Sequence, residues 1–272
     1  MALHGAGCLA RAAACAEEGL KARIEAIAAM PLFAVSLLGA ACLAWPLLPG
    51  GAPGWTRSLP LVFATLMALL LAELLLRRLD ARRLSLLASL VAIECALRLA
   101  TSADIEGFSP VFFLILCAGY VLGPSFGFLA GALALFMSDL ATGLLGPWLP
   151  YQVFAAGWLG AGAGLLRRRP GAGPWDVARV AGWGFAGGYL YGAVTDLQTW
   201  TFYYQGTPSL GWHSGMSSAE LAAAFGRFYI ATSLFFDTFR ATGNVLLTVI
   251  LASPVLLALE RFRRRFTLEV AA

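Results

Sequence analysis

Eight apolar runs, each long enough to cross or nearly cross a bilayer, dominate this 272-residue chain. They lie near 27–48, 59–77, 83–101, 109–123, 125–143, 150–167, 177–202 and 228–257. In hydrocarbon no water satisfies the backbone, so a segment of this length and composition is expected to be a helix. Only 12% of residues are charged, against about 25% in a soluble domain. The expected fold is therefore an all-α integral membrane protein in the cell membrane, with no nucleic-acid partner. The expected organisation is a cytoplasmic tail or short helix at 1–26, two helices within 27–82, six helices within 83–258, and a basic cytoplasmic tail at 259–272.

Positive charge sets the expected orientation. With the N-terminus inside, cytoplasmic segments hold Arg11, Lys21 and Arg23, then Arg77, Arg78, Arg82 and Arg83. They also hold Arg167, Arg168, Arg169 and Arg179, and finally Arg261, Arg263, Arg264 and Arg265. Arg57 and Arg227 fall in outer loops. Eight helices with both termini inside follow. The segment before Ile27 mixes acids with bases and shows no cleavage pattern, so it is not read as a signal peptide. Five cysteines without a CxxC are read as reduced and packed, and two distant histidines suggest no metal site.

Ionisable residues inside membrane helices are costly and usually face a bundle interior or a wet cavity. Glu94, Arg98, Asp139, Asp196, Asp237 and Arg240 all fall in the expected outer half, with Asn244 near the midplane. This arrangement suggests a pocket that opens outward. Four acids against two arginines leave a surplus of carboxylates. Between Ser138-Asp139 and the next run stands Gly143-Leu-Leu-Gly-Pro-Trp-Leu-Pro-Tyr-Gln152. Its two prolines are expected to hold a stiff, non-helical turn carrying an indole, a phenol and a carboxamide, one wall of the pocket. The 203–227 segment, with Tyr203, Tyr204, Trp212 and His213, reads as a long outer loop: a lid, or a connector with interfacial aromatics.

Small residues recur at a spacing of four. Ala88, Ala92, Ala96 and Ala100 lie roughly opposite Glu94 and Arg98 at about 100° per residue. They form a smooth face for a neighbouring helix, in this chain or in a partner. Gly119, Gly123, Gly127 and Gly131 repeat across the fourth and fifth runs, and Gly184, Gly188 and Gly192 lead to Asp196. Both glycine stripes are read as packing surfaces, the second also leaving room for a ligand.

Gly119-Tyr-Val-Leu-Gly-Pro-Ser-Phe-Gly127, Ser138-Asp139, Gly146-Pro-Trp-Leu-Pro-Tyr-Gln152 and Asp237-Thr-Phe-Arg-Ala-Thr-Gly-Asn244 resemble the substrate-binding S components of energy-coupling factor (ECF) vitamin transporters. The likeness spans about 83–265 and, within the family, is nearest to actinobacterial members associated with cobalamin or corrinoid uptake. The resemblance implies a six-helix core that captures a vitamin outside the cell. A separate transmembrane coupling protein and two ATPase subunits would then drive its delivery. It implies substrate contacts from Trp148, Tyr151, Gln152, Asp139, Asp196, Arg240 and Asn244, with Trp200, Trp212 and His213 on the lid. It places Ala88, Ala92 and Ala96 against the coupling protein. The two helices within 27–82 depart from the family pattern.

The chain carries no GxxxxGK[S/T] phosphate loop, so energy is expected from partners. It has no paired-Asp magnesium motif, no HExxH, and no evident nucleophile for His213. An intramembrane enzyme is therefore the weaker alternative, and neither cofactor nor metal is expected. A self-sufficient secondary transporter, coupled to protons through its surplus carboxylates, remains the other alternative.

Overall fold

The computed structural model describes residues 34–49, 63, 81–101, 112–143, 145–166 and 173–268, all helix or connecting turn. The helices are α1 (Ala34–Leu43), α2 (Ala81–Thr101), α3 (Phe112–Leu122), α4 (Pro124–Thr142), α5 (Leu149–Leu165), α6 (Pro174–Tyr203), α7 (Ser218–Thr232) and α8 (Leu234–Leu268). A single 3₁₀ turn, Trp45–Leu47, follows α1. The expected span at 59–77 lies outside the described residues, apart from Phe63, as do the expected N-terminal tail and residues 269–272. By length and composition, α4 and the Leu234–Arg264 part of α8 are long and apolar enough to cross a bilayer. The outward side of α8 is apolar at Phe235, Phe239, Leu246, Val249, Ile250 and Leu257, all exposed.

The centre of the molecule is zipped by glycine. Gly123, at φ 98°, turns the chain between α3 and α4, and Pro124 starts α4 where its missing N–H is not needed. The next connection ends α4 at Gly143 in the left-handed conformation, φ 70°. Packing of α4 on α5 is the most extensive in the molecule, with α3 laid across both. The reason is steric. A Cβ at Gly119 or Gly127 would strike the Gly160 carbonyl, and one at Gly131 would strike that of Ala156. Backbones approach this closely only where side chains are absent. The first glycine stripe is thus a packing surface.

The second stripe is one as well. On α6, Gly184 faces Leu116 and Asn244, Gly188 faces Ala241, and Gly192 faces the Asp237 carboxylate. These contacts seat α6 on α8. The alternative that the stripe leaves room for a ligand is not what the packing gives, because α8 fills that space.

Two expectations are corrected. The 203–227 segment is not a loop throughout: α7 begins at Ser218, and the Thr232–Ser233 junction divides the expected 228–257 span between α7 and α8. Ser217 caps α7, its hydroxyl accepting from Glu220 N–H while the Glu220 carboxylate accepts from Ser217 N–H. That reciprocal pair is the S-x-x-E box of a helix start. The Gly143–Gln152 turn is also shorter than expected. Pro150 occupies the first turn of α5, where proline is tolerated, so Leu149–Gln152 are already helical.

α1 docks on α5. Gly39 meets the Phe154 ring, and the Trp158 indole donates to Ser36 Oγ at 2.5 Å. Beyond α1, Trp45 donates to the Tyr151 hydroxyl at 3.2 Å, and Trp212 donates to the Pro46 carbonyl at 3.2 Å. Trp45, Trp200, Trp212, Met216, Leu221, Ala224 and Phe228 form a second apolar cluster, separate from the main core. This cluster ties the Trp45–Leu47 turn, the end of α6, the 204–217 segment and α7 into a cap.

Candidate functional site

Beside the cap cluster lies a cavity of about 270 Å³, lined by Arg98, Phe112, Leu135, Trp148, Gln152, Tyr191, Thr195, Gln198, Thr199 and Arg240. It is placed by helical geometry. Trp148, the N-cap of α5, and Gln152 are four residues apart and so share a face. On α6, Tyr191, Thr195, Gln198 and Thr199 fall at i, i+4, i+7 and i+8, again one face. α2 contributes Arg98 from its last turn. α8 contributes Arg240 from near its start.

Each arginine is held from behind by an acid. Arg98 bonds Asp139 and Ser138 of α4, and its Nη2 reaches Gln152 Oε1 at 3.3 Å. Three helices are joined through one guanidinium. Arg240 bonds Asp237 one turn earlier, lies 5.2 Å from the Tyr191 ring centroid, and shares its acid with the Tyr229 hydroxyl at 2.7 Å. No carboxylate lines the cavity among the described residues. The two acids orient the arginines, and the arginines present the charge.

A third carboxylate is held by a helix end rather than by an arginine. Glu94 accepts from the Leu114 and Ile115 N–H groups at 3.0 and 3.3 Å, where the first turn of α3 leaves donors without intrahelical partners. A carboxylate there also answers the positive end of the helix dipole. Glu94 therefore caps a neighbouring helix from α2. With Asp139 and Asp237 paired, Asp196 is the acid left without an arginine or a helix end. Its carboxylate has a side-chain hydrogen bond with Ser233, and its Oδ2 is buried with no partner, as are Glu94 Oε2 and Asp139 Oδ2.

Of the residues singled out from sequence, Trp148, Gln152 and Arg240 line the cavity, and Asp139 stands directly behind it on Arg98. The others lie elsewhere. Tyr151 is about 100° around α5 from Gln152, which turns it to Trp45. Asp196 continues the glycine stripe toward α8 and does not share the Tyr191–Gln198 face. Asn244 is buried deeper, its Nδ2 donating to the Gly184 carbonyl at 3.2 Å. Trp200 and Trp212 are buried in the cap, Trp200 donating to the Leu210 carbonyl at 2.7 Å. His213 is exposed beside Ser214.

Arg98, Tyr191, Thr195, Gln198 and Thr199 line the cavity without having been singled out as contacts. The signal for the α6 set was present: polar residues at spacings of four and three on one face of an apolar helix. Attention to ionisable residues alone misses it. Gln198 is the most telling of them, being 1% exposed with its Nε2 unpartnered.

Ala88, Ala92 and Ala96 are exposed, while Leu87, Leu90, Val91 and Glu94 of the same helix are buried. The alanine face is thus directed away from the described bundle.

Residues 78–266 match the family described as "Family of unknown function (DUF6580)". The match takes in α2 to α8 and leaves α1 outside. No curated protein and no solved structure matches the chain.

Proposed function

The chain belongs to DUF6580, a family of unknown function, so its role has to be argued from its own site: we propose that it is the substrate-capture subunit of a membrane importer. One observation carries this reading. A polar, half-open cavity with two oriented arginines sits at one end of an apolar-surfaced helical bundle. A few convergent polar groups among aromatic walls are what a small-molecule site requires. The midsection is packed by glycine against backbone, which suits a binding pocket better than an open channel.

In this proposal the cavity end faces outward and both termini lie inside, with eight membrane spans, two of them ahead of the capture core. The chain works as an S component of the ECF type, through a separate coupling protein and ATPases. The exposed Ala88-Ala92-Ala96 face is the surface offered to the coupling protein. At about 270 Å³ the cavity lies at the lower edge of the roughly 300–1,000 Å³ typical of ligand sites. A compact vitamin or related micronutrient fits it. A corrinoid is much larger and would require the cap to open.

The test is a binding screen on purified protein in detergent, without nucleotide, using small vitamins and cobalamin. Saturable binding that Trp148→Ala weakens supports capture, and no binding across the set sinks it. Leucine at Ala92 and Ala96 is expected to spare binding while stopping uptake in cells. Normal uptake would remove the docking face.

A second reading, a proton-coupled secondary transporter, draws on Asp196 and its unpartnered oxygen. It requires substrate uptake by the purified chain alone in vesicles under a pH gradient.

A further inference from the structure

The charged groups of the cavity lining, and the unpartnered side-chain amide among them, are donors. Arg240 carries five N–H groups, and among the described residues its hydrogen bonding goes through Nη1 to Asp237. The Gln198 amide, 1% exposed, holds an Nε2 with no partner. The Trp148 indole can only donate. Thr195, whose own proton goes back to the Tyr191 and Gly192 carbonyls, both at 3.0 Å, is an acceptor in this set. No aspartate or glutamate lines the cavity among the described residues. Buried donors left unmatched are costly, so an occupant rich in acceptors is favoured.

We propose that the cavity binds a small organic carboxylate, its two oxygens on the open edge of the Arg240 guanidinium and, after a turn of the buried amide, on Gln198 Nε2, and its apolar body among Phe112, Leu135 and Trp148. This specifies the ligand class of the capture site and rests on that reading. A guanidinium presents N–H groups in a fixed fork that matches a carboxylate. Asp237 leaves that fork aimed by holding Nη1 from the other side. The cavity volume limits the ligand to about one ring with short substituents.

The experiment uses the full chain in detergent and matched probes: benzoate with benzamide, and pyridine-3-carboxylate with pyridine-3-carboxamide. Binding is read by calorimetry and by quenching of tryptophan fluorescence. At least one carboxylate is expected to bind about tenfold or more tightly than its amide, the ratio of a charged to a neutral hydrogen bond. Gln198→Leu is expected to reduce carboxylate binding about tenfold. Arg240→Gln alone leaves Asp237 unpaired, so the paired variant Asp237→Asn/Arg240→Gln is used; it should abolish the preference for carboxylate over amide while the protein stays folded.

Amides binding as tightly as their acids, with Trp148→Ala weakening both, would overturn the carboxylate inference and leave the capture reading standing. An undiminished preference in the paired variant would overturn it as well. No carboxylate binding at millimolar concentration, with vitamins of other classes captured, would reject the carboxylate. No binding of any probe or vitamin would reject both.

Discussion

The α3–α4–α5 midsection and the cavity end are built by opposite means. In the midsection, glycines let one helix touch the next backbone to backbone, with Gly119 and Gly127 both set on the Gly160 carbonyl. At the cavity end, long polar side chains join the helices, as Arg98 does from α2 to α4 and α5. Close backbone contact leaves no space, whereas side-chain bridges leave a hole lined by their own heads. The same chain thus confines close backbone packing to one zone and the cavity to another.

This contrast can be broken first in the midsection. Gly160→Leu should destabilise the bundle by at least about 3 kcal/mol, because its Cβ would meet the Gly127 carbonyl and backbone cannot give way cheaply. Thermal unfolding in detergent measures it; a near-normal midpoint would mean that the helices separate more easily than their packing implies.

Next comes Asp139→Ala, which strips Arg98 of its acid. About 2–3 kcal/mol is expected, below the value for a fully buried pair because the Arg98 side chain is 24% exposed. A double-mutant cycle with Arg98→Ala should recover part of the loss. Strict additivity would show that the pair does not couple.

On the cavity wall, Trp148→Ala and Gln152→Ala are each expected to weaken ligand binding by about 1–3 kcal/mol and barely move the unfolding midpoint. Tyr151→Phe, one position away, should leave binding nearly unchanged because Tyr151 faces Trp45. A larger effect at Tyr151 than at Gln152 would place the ligand on the other side of α5.

The smallest effect belongs to the cap. Ser217→Ala should loosen the start of α7 by about 1 kcal/mol, read as faster hydrogen exchange over 218–224. Glu220 is held below the usual glutamate pKa by its bonds from the Ser217 N–H and hydroxyl. Its contribution is therefore present above the free glutamate value and is lost as pH falls through the lowered one. Exchange in α7 should accelerate on acidification in the native chain and much less so in Glu220→Gln. Equal acceleration in both would dismiss the cap.

Much of the helical layout was legible in one dimension. Apolar runs mark α2 to α6, Pro124 marks a helix start, and the stripes Gly119–Gly131 and Gly184–Gly192 mark packing faces, whereas Pro150, read as a helix breaker, lies in the first turn of α5. Trp148, Gln152 and Arg240, which line the cavity, were legible as candidates because polar and aromatic groups stand out in apolar surroundings. α7 was missed although Ser217-x-x-Glu220 announces it, since its amphipathic, partly polar sequence reads as a loop when only long apolar runs are sought.

The sequence by itself determined that this chain forms apolar helices that carry a few ionisable residues, because composition and period act locally. Only the tertiary structure decided what each charge does. Glu94 caps α3, Asp139 and Asp237 aim arginines, and Asp196 turns toward α8, assignments that depend on which helix ends meet. The Gly143–Gln152 stretch shows both sides. Its residues place an indole and a carboxamide four apart, and only the packing of α2, α6 and α8 around them makes that face the wall of a cavity.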